Sequence, residues 1–271
     1  MHKLILILIT LIVGCSSNPK DRLEQSESLH YKEARRLLER NSFLNAIEQY
    51  EELEARFPYG ELAEQAQLDM IYARYRALDY ATATAQAERF IRNYPAHEHL
   101  DYVLYMRGLS HYHMEQGMFD RLFRSEKASR DLTSMRQAFR DFDELVSRYP
   151  DSEYAPDARS RMLYIRNLLA EHELHAARYY GRRHAYIAAA NRAQHVIRHY
   201  QGTPSVPEAL AILHNAYDSL GQPTLAENSR RILIASWPES EFLSSRQQVD
   251  LDWWPSGERT WLALLTFDLL K

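Results

Sequence analysis

Glycine is scarce in this chain, 8 of 271 residues, and cysteine occurs once, at position 15. Strands joined by tight turns consume glycine, so its scarcity argues against a turn-rich β fold and for helices. A single cysteine excludes an intrachain disulfide. Concentrated charge is lacking as well: the formal net charge is −4, and basic residues gather no further than pairs such as Arg35-Arg36 and Arg182-Arg183. That leaves no dense phosphate-facing patch, so nucleic acid is not an expected partner. Catalytic signatures are missing too: no G-x-S-x-G, P-loop or G-x-G-x-x-G occurs. The twelve histidines form no recognisable ligand set. His172 and His175 flank Glu173 at a spacing unlike HExxH. His195 and His199 share a helix face but bring no further ligands, and the pairs His97/His99 and His111/His113 would be splayed apart by a helix. Carboxylates such as Glu48, Glu51, Glu52 and Glu54 read as a solvated helix face. No catalytic residue, metal or cofactor is expected.

What is present begins at the N-terminus. Lys3 precedes the apolar stretch Leu4–Val13. That stretch is too short to cross a hydrocarbon core of about 30 Å as a helix, and it fits the apolar region of a secretory signal. Leu11-Ile12-Val13-Gly14-Cys15 resembles the lipobox of bacterial lipoproteins. The resemblance implies a diacylglycerol on the Cys15 thiol, cleavage before Cys15 and acylation of the new amino group. One chain anchors only marginally, whereas two or three hold a soluble domain on a membrane. Residues 1–14 are thus expected to be a lipoprotein signal peptide and 15–25 a lipidated tether, rich in Ser, Asn and Pro at its start. The alternative is an ordinary cleaved signal with an incidental cysteine. Ser16, in place of an aspartate, favours the outer membrane by resemblance to the enterobacterial sorting rule.

Beyond the tether the chain repeats. Phe57-Pro58, Tyr94-Pro95, Tyr149-Pro150 and Trp237-Pro238 punctuate it, with Tyr200-Gln201 as a fifth ending that has Pro204 shortly after. The aromatics are spaced 94−57=37, 149−94=55, 200−149=51 and 237−200=37, one unit with two insertions. Twelve residues before each proline or its equivalent stands alanine: Ala46, Ala83, Ala138, Ala189 and Ala226. Five before stands Leu53, Phe90, Leu145, Val196 or Leu233. Alanine lets two helices approach, and the apolar residue seven positions on fills the same face two turns later. Proline cannot continue the helix and pushes the aromatic before it towards extended backbone.

This pattern is similar to the tetratricopeptide repeat. Its small residue on the first helix of each pair falls on Ala34 and Gly108, while Ile71, Leu163 and His214 depart from it. The expected fold is all-α, a superhelical solenoid of about five tetratricopeptide-like helix pairs over residues 26–60, 61–97, 98–152, 153–203 and 204–238, with a C-terminal cap or extension at 239–271. In the third unit the helices are expected near Leu100–Met114 and Asp131–Arg148, with Glu115–Arg130 inserted between them. In the fourth the extra residues are expected to lengthen both helices, the first running over Asp157–Tyr180 and turning at Gly181.

Lipobox, five repeats and an insertion in the third together resemble the BamD family, the tetratricopeptide lipoproteins of the β-barrel assembly machinery. Phe57-Pro-Tyr-Gly60, Met106-Arg107-Gly108 within Tyr102–Tyr112, and Tyr179-Tyr180 followed by Tyr186–Arg192 add to the likeness. The resemblance implies a non-enzymatic, lipid-anchored scaffold on the periplasmic face of the outer membrane. Its implied partners are a BamA-like POTRA-barrel protein, other Bam lipoproteins and unfolded outer membrane β-barrel substrates. On that basis Asn191 and Arg192, with Arg182 and Arg183 nearby, are candidates for the BamA contact; a helix-capping asparagine and a solvated arginine face are the alternative. For substrates, the inner side of the first two repeats carries Tyr31, Arg35, Tyr72, Tyr75 and Arg76. Rings beside arginine suit an extended peptide ending in an aromatic carboxylate, although Tyr72 and Tyr75 also suit core packing. The tail, with Trp253-Trp254-Pro255 and the apolar Trp261–Leu270, can cap the array, lie in a membrane interface or bind a partner. A second functional reading is a pilotin-like lipoprotein assisting secretin assembly.

Overall fold

In the computed structural model the described residues are 19–114 and 131–255, with side chains from Ser26 onward. They form ten α-helices: α1 (Pro19–Glu39), α2 (Phe43–Arg56), α3 (Ala63–Arg76), α4 (Tyr80–Asn93), α5 (Leu100–Met114), α6 (Thr133–Arg148), α7 (Ala155–Arg182), α8 (Tyr186–His199), α9 (Val206–Ser219) and α10 (Pro223–Ser236). The only β feature among them is an isolated antiparallel bridge between Leu243 and Val249. From α1 to α5 each helix packs chiefly on its neighbours in sequence, and α8, α9 and α10 do the same later in the chain. The fold is all-α and built of consecutive tetratricopeptide-like helix pairs, as the sequence predicts. The signal, residues 15–18 of the expected tether, the 115–130 insertion and residues 256–271 lie outside the described residues, while residues 19–25, expected as tether, form the start of α1.

The chain divides into two units. The first contains α1 to α5, most of α6 and residues 155–159 at the start of α7; the second contains the rest of α7 and everything beyond. In both, the two sequence columns are the core. Ala46, Ala83, Ala138 and Ala189 are fully buried and Ala226 nearly so, and Leu53, Phe90, Leu145, Val196 and Leu233 are all 0% exposed. Burying one such large side chain is worth about 1.5–3 kcal/mol.

The repeat extends to the backbone. The N–H of each punctuating aromatic, Phe57, Tyr94, Tyr149, Tyr200 and Trp237, donates to the carbonyl of the column residue four before it at 2.8 Å. Tyr200 keeps this geometry without a following proline, so the helix-end hydrogen bond and the core contact suffice. Within the pairs, Asn41, Leu78, His184 and Gly221 each take a positive φ between 58° and 67°. Around each, two crossed bonds close the preceding helix, for example Asn41 N–H to Leu38 O at 3.0 Å and Ser42 N–H to Leu37 O at 2.9 Å. This is the Schellman end of a helix, repeated four times on four different residue types.

The fourth pair departs from expectation. Only its first helix is lengthened: α7 has 28 residues and α8 has 14. The surplus, 28−14=14, accounts for the wide spacing between Tyr149 and Tyr200. The C-terminal half of α7 packs in the hairpin through Ala170, Leu174 and Ala177. Ala177, twelve before Ala189, is therefore the small residue of this pair, and Leu163 is 59% exposed. Gly181 is not the turn; it stands in the last turn of α7, and the chain reverses around His184.

Candidate functional site

In the first unit, α1, α2 and α3 carry side chains that meet around one carboxylate. Asp69 sits on α3 within the buried run Ala66–Ala73. Tyr31 and Tyr50 donate their hydroxyls to Asp69 Oδ2 at 2.8 and 3.0 Å, and Gln65 donates to Oδ1 at 3.2 Å. Arg35 lies 3.6 Å from the same Oδ2 and donates to the Tyr31 hydroxyl at 3.1 Å. A carboxylate inside a helix stack needs such donors, because leaving it unpaired costs far more than the bonds return. Burial, helped by the Asp69 charge and opposed by Arg35, pushes the Tyr31 phenol up to about 12. The same causes raise Tyr50.

A strip of rings continues from there. On α5 the Tyr102 phenol is raised by burial first and then by the charges of Asp69, Tyr154 and Tyr72. Tyr102 lies 5.8 Å from the ring of Tyr154, which stacks on Tyr105 at 4.8 Å, and the Tyr105 hydroxyl donates to Asp157 at 2.7 Å. The strip is amphipathic: aromatic faces offer area at little entropic cost, while carboxylates and Arg35 fix polarity.

The five substrate candidates fall into three groups. Tyr31 and Arg35 are together on Asp69. Tyr72 and Arg76 are together as well: the Arg76 guanidinium donates to the Tyr72 hydroxyl and lies 4.8 Å over the Phe43 ring. Tyr75 is apart, packed against Tyr80 at 5.6 Å and His113 at 5.9 Å. Asp69, Tyr50, Tyr102 and Tyr154 were not singled out from sequence. The signal for Asp69 was a lone carboxylate inside an apolar helix run; for the tyrosines there was none beyond their abundance.

The second unit holds the other four candidates. Arg192 on α8 donates to Glu173 on α7 at 2.9 Å, and Asn191 beside it is exposed. Arg182 lies 5.9 Å over the Trp253 ring and Arg183 lies 5.0 Å over Tyr179. Trp254 stacks on Tyr186 at 5.6 Å, and its indole N–H donates to Ser219 Oγ at 3.4 Å. Phe242, Leu243, Val249, Leu251 and both tryptophans pack on the core of this unit. A Cβ on Gly181 would come within 2.7 Å of Trp254 and 2.9 Å of Trp253, so the indoles occupy the space that glycine leaves. Beneath them Arg178 clamps α7 to α9 with a two-nitrogen pair to Glu208 at 2.5 and 2.6 Å.

Helix hairpins in file, bearing a half-exposed strip of rings and charges, define a helical-repeat protein of the tetratricopeptide type. The family described as YfiO, outer membrane lipoprotein, matches residues 23–233. Among similar proteins, the outer membrane protein assembly factor BamD of Neisseria meningitidis is 44% identical over 225 residues, covering 83% of this chain and 84% of that one. The protein of that name from Vibrio cholerae is 41% identical, covering 84% of this chain and 95% of its own. That from Xylella fastidiosa is 34% identical over 91% and 86%. The chain belongs to the YfiO family of outer membrane lipoproteins, the BamD assembly factors. No helix among the described residues is long and apolar enough to cross a membrane.

Proposed function

We propose that this chain is a lipid-anchored scaffold of the β-barrel assembly machinery. The observation that carries the reading is its likeness, over most of both lengths, to proteins named outer membrane protein assembly factor. In this reading Cys15 is lipidated and holds the repeats on the periplasmic face of the outer membrane, with residues 239–271 closing the array. The first unit receives the C-terminal stretch of an unfolded barrel protein. Its partly exposed tyrosines offer faces to a terminal aromatic, and Arg35 and Arg76 offer charge to its carboxylate. The second unit, through Arg182, Arg183, Asn191 and Arg192, meets a BamA-like POTRA-barrel protein, and other Bam lipoproteins join it there. A scaffold of this kind works by binding and needs no bond-making residue.

Two measurements test this. Pulled from detergent-solubilised outer membrane, the tagged chain is expected to bring a POTRA-barrel protein; a secretin in its place supports the pilotin-like alternative and contradicts the assembly reading. Cys15→Ser is expected to move the protein from the membrane fraction to the soluble periplasm, and a variant that stays with the membrane contradicts anchoring through this cysteine alone.

A further inference from the structure

The turn that follows α10 leaves a pocket open in the second unit. Of the five punctuating aromatics, Phe57, Tyr94, Tyr149 and Tyr200 are half-buried, whereas Trp237 is exposed. Trp237 and Pro238 join Pro204, Pro207 and Phe242 in walling a pocket of about 450 Å³ between the start of α9 and this turn. Glu239 and Glu241 belong to the same lining. None of Arg182, Arg183, Asn191 and Arg192 does, so the pocket is independent of the partner surface assigned to them above.

The hydrogen-bonding groups of the lining name the charge of its ligand. Three of the walls are prolines and have no N–H to offer. The Trp237 backbone N–H is already given to Leu233 O at 2.8 Å, that of Ser240 to Trp237 O at 3.1 Å and that of Phe242 to Ser240 Oγ at 3.3 Å. Both carboxylates, by contrast, are exposed, and among the described residues neither Glu239 nor Glu241 has a hydrogen bond or an ion pair. A lining rich in acceptors and poor in donors repels an anion and suits a cation.

The walls narrow the choice. An exposed indole beside carboxylates matches a guanidinium, which is planar, stacks on aromatic faces and pairs with carboxylates through its fork of N–H groups. Prolines and an aromatic ring are also a surface on which an extended, proline-bearing backbone packs, since such a backbone is already ordered and keeps its carbonyls free. The Trp237 indole N–H has no partner among the described residues and is the donor such a carbonyl needs. An apolar helix laid here would instead press its face against two carboxylates.

We propose that this pocket docks an extended, arginine-bearing segment of a partner protein, with the guanidinium stacked on Trp237 and paired with Glu239 and Glu241. The tail residues after α10 thereby add a binding site to the end of the repeat array.

The probe is a fluorescently labelled acetyl-Pro-Pro-Arg-Pro-Pro-amide, titrated by anisotropy with the mature full-length chain carrying Cys15→Ser. The control peptide has citrulline, which keeps the shape and loses the charge, in place of arginine. Saturable binding is expected for the arginine peptide, at least tenfold weaker for the citrulline peptide and weakening as salt is added. The variant Glu239→Gln/Glu241→Gln alters two exposed side chains, is expected to melt at the parent temperature, and should bind the arginine peptide at least tenfold more weakly. Equal affinity for the two peptides, parent-like binding by the variant, or no saturation at millimolar peptide overturns the proposal. Vesicles of phosphatidylethanolamine offer an ammonium from a lipid headgroup; if they displace the peptide, the choice of a protein ligand is overturned.

Discussion

Asp69 shows how a charge is kept inside a stack of helices. Its two oxygens take two phenols, an amide and a guanidinium, and the phenols are held protonated in return. That has a consequence in alkali. A group whose folded pKa lies above its unfolded value supports the fold fully below the unfolded value and loses that support as pH rises through the folded one. For Tyr31 the window runs from the ordinary 10 to about 12. Stability is expected to fall across this range, and Tyr31→Phe is expected to flatten the fall, read by urea unfolding at successive pH values. An unchanged slope means that Tyr31 does not titrate there. A second residue carries strain in plain view. Leu78 is 70% exposed and sits at φ 64°. The left-handed region costs a branched L-residue about 1–2 kcal/mol, while glycine costs roughly 0.5–1 kcal/mol in lost chain freedom. Leu78→Gly is therefore expected to stabilise the protein by about 0.5–1 kcal/mol in chemical denaturation.

Among the elements, most of the architecture was legible because it is periodic. Ala46, Ala83, Ala138, Ala189 and Ala226 recur with their apolar partners at one register, and all ten are buried. The helix bounds of the third pair's first helix, Leu100–Met114, coincide with the sequence reading. The fourth pair was read less well, because an insertion of whole helical turns leaves the periodicity intact and hides which helix has grown. The candidate site was legible only in part. Tyr31 with Arg35, and Tyr72 with Arg76, are helix neighbours at i, i+4 and can be paired by counting. Asp69 on α3, Tyr102 on α5 and Tyr154 in the turn before α7 join the strip from separate segments, and such contacts have no local signal. Likewise nothing in the sequence tied Gly181 to the tryptophans seventy-odd residues on. A methyl at Gly181 overpacks against two indoles, a cost of about 1–3 kcal/mol, against a helix-propensity gain of about 1 kcal/mol. Gly181→Ala is expected to destabilise the second unit by about 1 kcal/mol and to shift tryptophan emission to the red. A variant more stable than the parent means that the indoles yield without loss.

For the whole molecule, the proposed scaffold role rests on a Cys15 anchor and on a partner surface in each of the two units, with no step of chemistry at either. Proteins built of stacked hairpins bury their apolar faces against neighbours and leave long side-chain strips free for partners. Membership of the YfiO family places the chain among the outer membrane lipoproteins. The most direct test of this claim is the folding state of outer membrane barrel proteins in host cells depleted of the chain, read by heat-modifiable mobility on gels. The account predicts that newly made barrels lose their folded form as the chain is depleted, and that re-expression of the parent sequence restores it. Barrels that fold at the normal rate and in the normal amount without the chain would contradict it.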